Sequence, residues 1–205
     1  MKVKLVFSVL IFLITGCAKN KEVKIPISPE EIKEAINYGE KNASLTFTEF
    51  TKDWTIDYGY EYGKGKATLI TPFLRVALLA KNAKEKNQKL DMKIVNLALK
   101  DMSDKIIFRV TIYGDYPTFG KTAKFYLEYN GKKINPISSY TSFYSQFARD
   151  YTHISEGEVK FSNKEIPKDA KVKLLVFYLP YEAEKKKEKP KETICTFEFD
   201  LSKYR

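Results

Sequence analysis

The chain has 205 residues, a formal net charge of +10, 43% hydrophobic content and 14 each of Phe and Tyr, but one Trp, one His and two Cys. That much bulky apolar material excludes a disordered stalk as the main body, and the length suits one large domain or a small domain packed on another. Two cysteines cannot build a disulfide-stapled scaffold, and a single histidine is a weak basis for metal or acid–base chemistry.

The first element is MKVKLVFSVLIFLITGC, residues 1–17, with two lysines, an apolar core and a small residue before cysteine. Its core fits the roughly 7 to 15 residues of a secretory h-region and falls short of the roughly 20 that a membrane-spanning helix needs. Ile14, Thr15, Gly16 and Cys17 resemble the lipobox of bacterial lipoprotein precursors. The resemblance covers only the leader. It implies cleavage between Gly16 and Cys17, and a Cys17 that carries diacylglycerol and a fatty acyl chain such as palmitate. Two or three acyl chains hold a protein durably at a membrane, because each buried CH₂ contributes about 0.8 kcal/mol. Ala18 is not the aspartate that the family associates with inner-membrane retention. The expected home is therefore the outer membrane, facing the periplasm, in a bacterium with two membranes, and otherwise the outer face of the cytoplasmic membrane. An exported basic protein meets anionic lipid headgroups or acidic wall polymers rather than nucleic acid.

The expected division is a cleaved signal peptide over 1–16, a lipidated cysteine and lysine-rich tether over 17–28, a helical region over 29–90 and a β-sandwich over 91–205. Ser28, Pro29 and Glu31 predict a helix start with a capping box, and Ile32, Ala35 and Ile36 form its buried stripe, with Gly39 near the end. Residues 58–68, YGYEYGKGKAT, predict a hairpin with Tyr58, Tyr60 and Tyr62 at alternate positions; the glycine spacing does not fit a phosphate loop. Thr71 and Pro72 open a second helix with Phe73, Val76, Ala77 and Ala80 on its apolar face.

From Asp91 the periodicity reads as two-residue. Met92 to Leu99 predicts a strand, 101–104 a turn, and Phe108, Val110 and Ile112 one face of the next strand. Phe125, Leu127 and Tyr129 predict another, and Asn130-Gly131 the tight type I′ turn to its return strand. Val159 and Phe161 mark a further strand, and the residues around Val172 to Leu179 are apolar on both faces, as in a central strand. Cys195, Phe197 and Phe199 alternate with polar residues, which puts the Cys195 thiol on a buried face. The fold class is α+β: a short helical N-terminal region packed on a C-terminal antiparallel β-sandwich that resembles immunoglobulin-like domains in architecture alone. The sole Trp54 lies upstream of the β region, so no membership of an immunoglobulin family follows.

No catalytic or metal-binding set is read from the residues, and no cofactor is expected. His153 lies beside Asp150 and Glu156, a grouping that reads mainly as a satisfied surface or loop histidine, with an anchored hydrolase as the remote alternative. Glu156 and Glu158 share a strand face that reads as solvated. Candidate binding residues are Tyr58, Tyr60 and Tyr62, as an aromatic platform for glycan or peptide, Tyr140 and Tyr144 in a tyrosine-rich segment, and Arg75, facing an anion at a helix N-terminus or snorkelling to solvent. The charged residues 181–192 read as a solvated hairpin extension. The expectation is a membrane-anchored, non-catalytic module for binding or assembly, with an envelope protein as partner, or wall glycan or anionic polymer held by tyrosines and lysines.

Overall fold

The computed structural model describes residues 26–142, 146–147, 152–186 and 195–204. The expectations for the leader, Gly16, Cys17 and Tyr144 lie outside the described residues.

Helix α1 is Pro29–Lys41. The Ser28 hydroxyl accepts from the Glu31 N–H at 3.2 Å, and the Ser28 N–H donates to the Glu31 carboxylate at 2.8 Å, so the capping box forms as the sequence predicts. A short α2, Phe47–Phe50, uses the same device through Thr46 and Glu49. Strands β1, Thr55–Asp57, and β2, Gly65–Ile70, make a hairpin around the tyrosine segment. Helix α3, Pro72–Glu85, is capped by Thr71, whose hydroxyl accepts from the Leu74 N–H at 3.1 Å.

Met92 to Leu99 is not a strand but the body of α4, Met92–Met102, with Asp91 as N-cap. The segment MKIVNLALKDM supports either period over a few residues. Val95, Leu99 and Met102, spaced i, i+4 and i+7, form the buried stripe, while exposed Ile94 and Leu97 imitate two-residue alternation. Of the expected turn at 101–104, only Ser103 and Asp104 lie outside the helix.

Strands β3, Lys105–Gly114, β4, Lys124–Tyr129, β5, Lys132–Ile134, β6, Ser138–Thr141, β7, Gln146–Phe147, β8, His153–Ser162, and β9, Lys171–Phe177, follow, then helix α5, Tyr181–Lys185, and strand β10, Cys195–Asp200. All pairings are antiparallel. One sheet runs β1-β2-β3-β8-β6, with β7 also on β8, and the other runs β10-β9-β4-β5. Asn130 and Gly131 both have positive φ, 50° and 73°, as the tight turn between β4 and β5 requires. His153 opens β8 opposite Gly114 and is a strand residue, not a loop one. The charged 181–192 segment lies in sequence between the antiparallel partners β9 and β10, as a hairpin extension would, and its start, Tyr181–Lys185, is helical.

The fold is α+β with sandwich-like packing in three layers. Phe108, Val110, Ile112, Val159 and Phe161 of the first sheet meet Phe125, Leu127, Val172, Leu174, Phe197 and Phe199 of the second. The opposite face of the first sheet gives Ile70 and Ile107 to a second core with Leu74, Val76, Ala77, Val95 and Leu99 from α3 and α4. Although β1 and β2 fall in the stretch read as helical, β2 pairs with β3 along its whole length, so the sheet extends across residue 91.

Gly39 sets the approach of α1 to α3. A Cβ added there would run into the Ala77 carbonyl oxygen and lie 2.8 Å from the Ala80 Cβ. Lys81 is buried on α3, and its ammonium donates to the Ala43 carbonyl and, at 2.6 Å, to Glu85, which ties the end of α1 to α3. Gly39→Val is expected to destabilise the fold by about 1 to 3 kcal/mol through overpacking; a lowered denaturant midpoint checks it, and an unchanged midpoint contradicts the close helix contact. Cys195 is buried, and burial pushes its thiol up to about 11. In a Cys17→Ala background, Cys195 should resist a thiol reagent at pH 8 until denaturant is added.

Candidate functional site

The helices cover only one end of the outer face of the first sheet. Cross-strand register defines the rows of that face, because directly paired residues project to the same side. Ile70, Ile107 and Lys160 form the row beneath the helices. Thr55, Thr68, Arg109, Glu158 and Tyr140 form the next. Asp57, Lys66, Thr111 and Glu156 form the third, and Tyr113 and Ile154 the fourth. The two middle rows are polar and lie between α2 and the tyrosine loop.

These rows form the floor of a cleft of about 230 Å³ lined by Phe47, Thr48, Lys66, Thr68, Arg109, Thr111 and Glu156. The Arg109 guanidinium lies 4.3 Å from the Phe47 ring centroid and donates to Glu156 at 3.2 Å. Stacking and ion pairing together hold the planar guanidinium in one orientation. The Thr68 and Thr55 hydroxyls are 2.7 Å apart. Lys66 has no ion-pair partner among the described residues. Beyond the cleft, charges pair in sequence across the face: Lys105 with Asp101, Asp101 with Lys160, Lys160 with Glu158, and Glu158 with Arg75 at 4.0 Å.

The structure separates the tyrosines read as one platform. Tyr60 is 65% exposed and packs edge-on against Tyr113, with centroids 6.5 Å apart, so it borders the cleft face. Burial pushes the Tyr113 hydroxyl above its ordinary range, and the nearby Asp57 and Glu156 carboxylates push the same way. Tyr58 instead stacks on Phe197 at 5.3 Å, and Tyr62 meets Tyr178 edge-on at 5.8 Å; both rings cover the end of the sandwich. Tyr140 lies on the outer face opposite Glu158. Arg75 reaches Glu158 from α3, which makes that carboxylate its neighbouring anion.

Lys66, Thr68, Arg109 and Thr111 were not singled out from the sequence. A signal existed in the polar residues alternating with Ala67, Leu69, Phe108, Val110 and Ile112, but such alternation marks any solvated sheet face. Among the described residues, no three His, Cys, Asp or Glu side chains converge as a metal-holding group.

Tyr178 fixes the tyrosine loop. Its buried hydroxyl donates to the Tyr113 carbonyl at 2.5 Å and accepts from the Gly63 N–H at 3.1 Å, which joins β3, the loop and the end of β9. Burial raises this hydroxyl well above its ordinary range, so it stays a donor at any physiological pH. Tyr178→Phe is expected to cost about 1 to 3 kcal/mol, since the Tyr113 carbonyl loses its donor. Faster hydrogen exchange across residues 58–64 should accompany the loss; unchanged exchange there would contradict the tie. No protein-family model matches the chain, and a search of curated proteins finds no similar one.

Proposed function

We propose that the protein is a lipid-anchored envelope lipoprotein that acts as a non-catalytic binding or assembly module. Cys17 holds it to the membrane, residues 17–28 lift the folded body away, and the uncovered rows of the first sheet receive another envelope component. The observation that carries this reading is the open cleft on a sheet face of which one end is packed under helices. Its polar groups engage one another: Arg109 with Glu156 and Phe47, Thr68 with Thr55. That arrangement makes a stiff surface suited to recognition, in which side chains lose little freedom on binding. The lipobox resemblance of Ile14 to Cys17 supports the anchor and the envelope setting.

Crosslinking in living cells, followed by mass spectrometry of what co-purifies with the tagged protein, tests this. The wild-type chain should fractionate with membranes and capture a specific envelope component, and Cys17→Ala should lose both. Equal membrane association by Cys17→Ala would overturn the anchor, and capture of no envelope protein or polymer would overturn the binding module.

A further inference from the structure

We infer that the cleft lined by Phe47, Lys66, Arg109 and Glu156 is a subsite for one sugar ring that carries a carboxylate or phosphate, within an acidic glycan. The inference rests on the binding-module reading and names the class of ligand.

Size comes first. At about 230 Å³ the cleft is smaller than the roughly 300 to 1,000 Å³ of sites that engulf a drug-sized molecule, so it suits a single ring-sized unit. It lies on an open sheet face, and the row of its floor that holds Thr68 and Arg109 continues through Glu158 to Tyr140, which is 69% exposed. A polymer can therefore pass over it without having to thread a closed pocket.

Chemistry narrows the ligand further. The Arg109 guanidinium has five N–H donors in one plane, and its bond to Glu156 leaves others for a ligand. Glu156 supplies acceptor oxygens and Thr111 a hydroxyl, while the Thr68 hydroxyl, which donates to Thr55, is left as an acceptor. Donors and acceptors alternating along a stiff floor match vicinal sugar hydroxyls, each of which both gives and takes a hydrogen bond. Tyr60 packs an exposed ring on Tyr113, in the row next to Thr111 and Glu156, and offers an apolar face for the C–H side of a pyranose.

Charge selects the acidic form. The lining carries Lys66 and Arg109 against Glu156, an excess of one positive charge, while Asp57, the cross-strand partner of Lys66, lies outside the lining and accepts from the Gly59 N–H at 2.8 Å. Arg109 is already committed to Glu156, whereas the Lys66 ammonium has no ion-pair partner among the described residues. An anionic substituent placed at Lys66 completes the balance, with Thr111 beside it in the register.

Nuclear magnetic resonance titration of the full chain in detergent micelles tests this with glucuronic acid, glucose 1-phosphate, glucose and a glutamate-rich peptide as probes. Saturable shifts centred on Lys66, Arg109, Thr111 and Tyr60 are expected with an acidic sugar, and about tenfold weaker binding with glucose. Whether the carboxylate or the phosphate sugar binds more tightly identifies the source of the anion. Lys66→Gln should abolish the preference for acid over glucose, and Tyr60→Ala should weaken every sugar about tenfold. Unchanged thermal midpoints show that both variants are folded. The inference fails if no sugar saturates, if Lys66→Gln keeps the acid preference, or if the peptide binds as well as the sugars at the same residues. Should it fail while cellular crosslinks to an envelope protein persist, the binding module stands with a protein as its partner.

Discussion

Strand β3 must satisfy two cores at once, and the architecture follows from that constraint. Ile106, Phe108, Val110 and Ile112 face the second sheet, while Ile107 faces α3 and α4. A strand buried on both sides cannot shift register by one residue without moving its large apolar side chains to the wrong layer. This locks β2 and β8 to it, and through them the outer-face rows. The polar residues Arg109 and Thr111 begin where helix coverage ends, so the functional candidate is set by how far the helices reach along the sheet.

The ion pairs on that face act on geometry more than on stability. Exposed pairs such as Arg109 with Glu156 contribute roughly 0 to 1 kcal/mol each. Their value lies in orientation, since Arg109 is held by both Phe47 and Glu156. The net stability resides in the aromatic and aliphatic interior, where Phe108 lies 4.9 Å from Phe199 and Phe119 lies 5.3 Å from Tyr178. Tyr178 connects the two roles, because its buried hydroxyl anchors the loop that carries Tyr60.

What could be read beforehand was whatever depends on neighbours in sequence. The Ser28 capping box, the Thr71 cap, the Asn130-Gly131 turn and the buried alternation around Cys195 are all local devices, and the structure contains each of them. Helix α4 was hidden because Ile94 and Leu97 are apolar yet exposed, which erased the contrast that marks a helical stripe. The cleft was hidden for another reason. Thr48, Lys66, Arg109 and Glu156 come from separate elements and meet only after the sheet pairs, and each taken singly resembles an ordinary solvated side chain. Tyr58, Tyr60 and Tyr62 are visible as a group in the sequence, but which rings lie on Phe197 and Tyr178 and which on Tyr113 depends on β9, β10 and β3.

Under the proposed function one face of the molecule binds and the opposite one is passive. Photocrosslinking amino acids placed singly at Thr48 and Tyr60, and at Lys173 and Glu198 on the outer face of the second sheet, test that claim in cells. Adducts with one envelope component from the Thr48 and Tyr60 positions, and none from Lys173 or Glu198, are the predicted result. Adducts confined to the second-sheet positions would contradict it.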